Sequence, residues 1–323
     1  MGFLALALAL LIEQVRPLSA NNLAHRASAG LADLVRGSTD AGQRQHGIIG
    51  WAVVGLVILG VVALLDWIAG RVHPLLVFIL HVAVLYATVG FRQFSHAFTE
   101  IQVALAADDL PGARRVLERW LAASSTDDEF ELPPSDAPVD TVCRLAIAHA
   151  LVAAHRHVFA PLFCYMLFPG ALGPVLYRLA ELLARRWSVH AAHGETRVIE
   201  PYGFAANWIY RMLDWVLARI TAAGFAIVGN FEDAVYCWRG AVASGTAGEQ
   251  RALLLAAGGG ALGLRIAEPA LEARWVSGEQ GFEWQGATPD AAGLRSAVGL
   301  VWRSVILWAG LFALVSLAAW VGR

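Results

Sequence analysis

Between Trp208 and Gly229 the chain is apolar for long enough to cross a bilayer, yet Arg211, Asp214 and Arg219 lie inside that run. About 20 predominantly apolar residues span the hydrocarbon of a membrane. Ionised side chains there are costly unless they face a partner, water or the head-group layer, so the segment must dock against protein or lie near an interface. At 100° per residue Arg211 and Asp214 sit about 60° apart on a helix and can pair. Arg219 points about 140° away from Asp214 and needs another partner. Two readings of these charges stand side by side: a structural ion pair at the end of a packed helix, or a charge pair that binds a ligand.

Composition extends the constraint to the whole chain. Of its 323 residues 58% are hydrophobic and 15% charged, against about 45–50% and about 25% in soluble domains. The sequence therefore predicts an all-α, polytopic integral membrane protein, with the lipid bilayer as its first partner. A net charge of −2, with basic residues scattered along the chain, provides no basic stripe for nucleic acid. Every basic residue is arginine, which excludes Schiff-base and lysine-nucleophile chemistry and a Walker-type phosphate loop. The three cysteines, Cys143, Cys164 and Cys237, have neither metal-site spacing nor a disulfide framework and read as small buried apolar residues. Phe3 to Ile12 is apolar without a basic n-region or a small-residue cleavage pattern, and reads as a retained, short membrane-associated helix.

The connection Glu13–His46, with Arg16, Arg26, Arg36 and Arg44, has the bias of a cytoplasmic segment. Gly47–Leu65, ended by Asp66-Trp67, and Pro74–Phe91 read as membrane helices, and His81 inside the second reads as a satisfied packing residue. From about 92 to 144 lies a water-facing insertion. It pairs an amphipathic helical hairpin with an acidic, proline-rich linker holding Asp127, Asp128, Glu129, Glu131, Asp136 and Asp140. Leu145–Phe168 is apolar but interrupted by His149, His155, Arg156 and His157; on an α-helix no two of the histidines share the i, i+4 face that a metal pair needs. Pro169-Gly170 then breaks the chain, so Leu145–Leu183 predicts a hairpin that does not cross completely. Residues 184 to 207, with His190 and His193, read as a solvated basic loop. Gly258-x-Gly260-x-x-Gly263 matches a dinucleotide fingerprint, but no strand precedes it and it is set aside. Val298–Val321 completes the set of expected membrane helices. The charges in Trp208–Gly229 favour a tilted or re-entrant path that leaves Phe231–Ala297 cytoplasmic.

Several short motifs, in a shared order from about residue 50 onward, resemble the CobD/CbiB family of cobalamin biosynthesis and its relative AmpE. Asp109-Leu110 with Ala113-Arg114 resembles the family's GDL-x-x-AR helix, and Ala160-Pro161-Leu162-Phe163 followed by Tyr177-Arg178 resembles its APLF and YR segments. The stretch from Asp214 to Ala222 resembles its PARLTA run and is closer still to AmpE, which has Leu-Asp-Trp-Val here. Gly260 to Arg265 resembles the GALGVRL of CbiB. The resemblance implies a multi-pass protein of the bacterial inner membrane. For CbiB proteins it implies ligation of an amino-propanol unit to adenosylcobyric acid, with a corrinoid partner and with ATP and magnesium as cofactors.

The departures from the family are acidic. His155-Arg156-His157 stands where the family has an EN-x-x-x-D run, Glu181-Leu182-Leu183-Ala184 where it has NTLD, and Tyr210-Arg211 where it has paired aspartates. Such losses favour an AmpE-like, non-synthase membrane modulator or sensor, with a membrane or cell-wall-recycling protein as partner and no cofactor; the synthase is the alternative. Under either reading the ligand-binding or structural anchors are Tyr177, Arg178, Arg211, Asp214, Arg219 and His157. No metal ligands and no catalytic residues are assigned.

Overall fold

The structure, a computed structural model, describes residues 2–16, 18, 22–124, 133–134, 136–188, 201–246, 249–267, 269–277 and 286–322. Asp127, Asp128, Glu129, Glu131, His190, His193 and Arg197 lie outside the described residues. Among the described residues the helices in chain order are α1 (Gly2–Val15), α2 (Leu23–Thr39), α3 (Arg44–Val72), α4 (Pro74–Thr88), α5 (Phe91–Ala106), α6 (Leu110–Ser124) and α7 (Val139–Ala154). A π-helical turn, His155–Phe159, follows, and then α8 (Ala160–Leu167), α9 (Leu172–Arg186), α10 (Phe204–Val228), α11 (Phe231–Ala243), α12 (Gln250–Leu262), α13 (Pro269–Val276) and α14 (Ala291–Val321). Extended pairing among them is confined to an isolated bridge between Leu264 and Ala287. The protein is all-α, as the sequence predicts.

The helices fall into two compact units, Met1–Phe91 with Ala160–Asp214, and Arg92–Phe159 with Trp215–Arg323. In the first unit α1 packs on α4, α2 on α3, and α9 on α2, α3, α4 and α8. Caps set the ends. Asn22 accepts the His25 amide at 2.8 Å to start α2, and His73 closes α3 while its Nδ1 accepts the Leu75 amide at 3.1 Å to open α4. Pro74 occupies the first position of α4, where its missing N–H costs nothing. The core here gathers Ala32, Val35, Val54, Leu179, Leu183, Trp187, Tyr202 and Ala206. At its edge Arg186 holds Asp33 with two hydrogen bonds of 2.6 and 2.5 Å, clasping α9 to α2. Those hydrogen bonds hold the Asp33 carboxyl below the usual carboxylate range. The stability they provide is therefore present above the ordinary carboxylate pKa and lost as pH falls through the depressed value. Both groups are largely exposed, so the effect is small. Between pH 5 and pH 3 the thermal midpoint of Asp33→Asn should fall less than that of the unmodified protein; equal slopes would discount the clasp.

The second unit opens with the amphipathic hairpin α5–α6. Asp108, at φ 57°, turns the chain, and the Asp109 carboxylate accepts the Gly112 amide at 2.8 Å, capping α6. Arg114 then donates through Nε to the Ala137 carbonyl at 2.7 Å. Two residues of the GDL-x-x-AR motif thus cap and anchor a helix. Helix α7 packs on α6, α12 and α14, and α11 on α12. The fingerprint glycines serve this packing: a Cβ at Gly260 would stand 2.7 Å from the Ala234 Cα, and Gly263, at φ 69°, ends α12 in the left-handed region.

Among the described residues three helical stretches are long and apolar enough to cross a membrane: Arg44–Val72, Val139–Leu167 and Ala291–Ala319. They differ in surroundings. Only 17% and 22% of the first and third are buried, against 78% of the second, so α3 and α14 present apolar surface to lipid while Val139–Leu167 is enclosed by protein. Several boundaries need correction. Helix α3 runs past Asp66-Trp67 to Val72, α4 stops at Thr88 after 15 residues, and the interrupted segment from Leu145 is helical throughout as far as Leu167. Helix α10 is outside the set because Arg211, Asp214 and Arg219 break its apolar run.

Candidate functional site

In the first unit, α9 aligns Tyr177, Arg178, Glu181 and Arg185. Their spacing places Glu181 three residues after Arg178 and four before Arg185, on one side of the helix. Both oxygens of its buried carboxylate are engaged: Arg178 Nη1 donates to Oε2 at 2.8 Å and Arg185 Nη2 to Oε1 at 2.7 Å. Arg178 Nε also donates to the Thr88 carbonyl at 2.7 Å. That carbonyl ends α4, where the helix dipole favours a cation. Beside this trio the fully buried Tyr177 donates its hydroxyl to Asp214 Oδ1 at 3.0 Å, and the Tyr177 and Tyr210 rings lie 6.0 Å apart between centroids. Two arginines and two carboxylates leave the cluster near neutral, as a polar group in a low-dielectric wall must be.

Of the anchors named from sequence, the structure brings together Tyr177, Arg178 and Asp214. Arg211 is exposed on α10 while Asp214, one turn on, is buried, and the Asp214 carboxylate takes the Tyr177 hydroxyl. Arg219 belongs to the second unit. Its guanidinium stacks 3.7 Å over the Trp215 ring and donates to the Trp215 carbonyl at 2.9 Å, so contacts within one turn of its own helix help to settle its charge. His157 is half-buried in the π turn and belongs to the second unit. The π turn inserts a residue, so α-helical angles do not carry across His149, His155 and His157. Its cause is legible in Pro161, which cannot donate to the His157 carbonyl that an α-helix would offer it. Inside the turn His155 Nδ1 meets Thr221 Oγ1 at 2.8 Å, and that hydroxyl donates to the Leu217 carbonyl at 3.0 Å.

Two polar groups escaped the sequence reading. Glu181 counted as a departure from the family pattern, although its spacing to Arg178 and Arg185 was visible. Asp66 counted as a helix end, but its Oδ1 meets His81 Nε2 at 3.1 Å, and His81 Nδ1 meets the Tyr165 hydroxyl at 2.8 Å. His81 is thus a satisfied packing residue, as its sequence context suggests. Gly170, at φ 62°, closes over this chain; a Cβ there would lie 2.5 Å from Asp66 Oδ2.

Magnesium prefers several oxygen ligands in octahedral array and commonly takes one or two carboxylates from the protein. The two carboxylates of this cluster do not fit it: both Glu181 oxygens hold guanidiniums, and Asp214 holds a tyrosine hydroxyl. Among the described residues no three His, Cys, Asp or Glu side chains converge as a metal set.

An all-α protein with lipid-facing spans and a buried Tyr-Asp and Arg-Glu-Arg cluster is a membrane protein with a structured polar interior. A model of the family described as CobD/Cbib protein matches residues 3–301. The chain belongs to the CobD/CbiB family. It is similar to the protein named Cobalamin biosynthesis protein CobD of Stutzerimonas stutzeri, strain A1501, with 31% identity over 280 residues, 84% of this chain and 82% of that one. It is also similar to the protein of the same name from Chromobacterium violaceum, with 33% identity over 266 residues, 81% of this chain and 78% of that one. No solved structure matches.

Proposed function

We propose that this protein acts in cobalamin biosynthesis, joining an amino-propanol unit to adenosylcobyric acid in the bacterial inner membrane. One observation carries the reading: two relatives named for cobalamin biosynthesis align with about four-fifths of this chain and of their own length. Neither bears the name of AmpE. The balance therefore moves from the AmpE-like modulator favoured by the missing acids to the synthase. Glu181 and Asp214 further weaken the earlier argument, because α9 and α10 do place buried carboxylates beside the YR segment. The cluster's role is to hold α9 and α10 in register so that polar groups face substrate. His155-Arg156-His157, where the family has acids, is the feature that keeps the modulator as second reading.

Growth of a synthase-null strain on adenosylcobyric acid tests the proposal. Rescue by this protein, and loss of rescue with Asp214→Asn when the variant reaches the membrane in equal amount, is the expected result. No rescue by unmodified protein found in the membrane fraction would return the modulator to first place.

A further inference from the structure

We propose that the Arg44 end of α3 carries a binding site for the head group of an anionic phospholipid, formed by Arg44 and Arg36 against Phe204 and Tyr202. The argument begins with length. At about 1.5 Å per residue, Arg44 and Arg71 stand about 40 Å apart along α3, close to the full thickness of a bilayer with its head groups, about 40–45 Å. Each therefore lies at a head-group layer when α3 crosses. Each also stacks on an aromatic ring, Arg44 at 4.3 Å from the Phe204 centroid and Arg71 at 5.1 Å from that of Trp67.

The Arg44 end has more. Arg36 lies 5.8 Å from the centroid of Tyr202, two residues before Phe204, so two guanidiniums rest on neighbouring rings of one turn. A ring against the face of the Arg44 guanidinium leaves its planar N–H edge for a phosphate, while Arg36 gives Nε to Asp40 and Nη1 to the Arg186 carbonyl at 3.5 Å and adds its charge beside it. Among the described residues Arg36 bonds Asp40 at 3.3 Å and Arg186 bonds Asp33, while Arg44 rests on the Phe204 ring, so this end of α3 presents a guanidinium to an anionic head group. The apolar side of the site matches too. Phe204 and Trp208, one turn apart on α10 and 43% and 57% exposed, continue from the stacked arginine along the direction an acyl chain would take. Stacked guanidiniums, position at the head-group layer and adjoining aromatic surface together point to an anionic phospholipid.

The test uses full-length protein in nanodiscs of phosphatidylcholine alone or with phosphatidylglycerol, read by thermal midpoint and by the fraction of spin-labelled phosphatidylglycerol held at the protein surface. Phosphatidylglycerol should raise the midpoint of the unmodified protein by several degrees. Arg44→Gln should abolish the rise, measured against its own midpoint in phosphatidylcholine, and reduce the held fraction at least threefold. Arg71→Gln should keep the response, and Arg44→Lys should restore part of it. Inorganic phosphate in solution should do nothing. A full response in Arg44→Gln, or a response reproduced by inorganic phosphate, would overturn the proposal.

Discussion

Glu181→Ala should lower the thermal midpoint of the detergent-solubilised protein by on the order of 10 °C. The carboxylate stands between Arg178 and Arg185, each within 2.8 Å, and is itself buried. Removing it leaves two guanidiniums facing each other across the space it filled. Breaking a buried ion pair from one side typically costs about 3–5 kcal/mol, because the remaining charge stays desolvated without compensation. In proteins of 150–250 residues one kcal/mol moves the midpoint by about 2–4 °C, which sets the expected size. Arg178 keeps its bond to the Thr88 carbonyl, so α9 stays tethered to α4 and the loss stops short of complete unfolding. Differential scanning in one detergent at pH 7, with Glu181→Gln alongside, measures it. Glutamine keeps the volume and an acceptor but not the charge, so it should recover less than half of the loss. A midpoint within 2 °C of the unmodified protein for Glu181→Ala would place this trio in water and not in a buried wall.

How far the sequence reaches can be judged at such residues. The apolar runs locate α3 and α14, because lipid-facing helices need uninterrupted apolar length, and amphipathic spacing finds the α5–α6 hairpin but not its turn at Asp108. Hydropathy cannot separate a helix facing lipid from one enclosed by protein, since both are apolar; it therefore does not tell that Val139–Leu167 is mostly buried, whereas the break expected at Pro169-Gly170 within Leu145–Leu183 does fall between α8 and α9. Polar partners from other helices hide the same way. Asp66 looks like a helix terminator until His81 and Tyr165 are placed beside it. Asp214 reads as a candidate partner of Arg211, three residues earlier, and the sequence does not reveal that Tyr177 of α9 also donates to it. Contacts within one helix were accessible: Trp215 lies four residues before Arg219, and Glu181 lies between two arginines at helical spacing. The family motifs told where chain segments correspond but not what each residue does, and in this fold Asp109 and Arg114 cap and anchor α6.

Gly260→Ala should separate α11 from α12 and destabilise the protein, although alanine is the better helix former. Propensity alone predicts a gain of about 0.8–1.0 kcal/mol for glycine to alanine inside a helix. Packing opposes it. The new Cβ would lie 2.7 Å from the Ala234 Cα and from the Asp233 carbonyl carbon, backbone atoms of α11 that cannot rotate away as a side-chain tip can. Relief requires the two helices to move apart, which strips contact from buried Ala234, Cys237 and Ala241 on α11 and from Leu253 and Ala257 on α12. Overpacking of this kind typically costs about 1–3 kcal/mol, and here the backbone nature of the obstacle puts the cost at the upper end. Gly299→Ala is the matched control, since it lies in α14 of the same unit with nothing within 4 Å of its added Cβ. Parallel thermal melts should show a lower midpoint for Gly260→Ala and an equal or higher one for Gly299→Ala. The substitutions differ in one respect, the neighbour that the methyl group meets, so an equal response would mean that α11 and α12 do not approach as closely as the glycine allows.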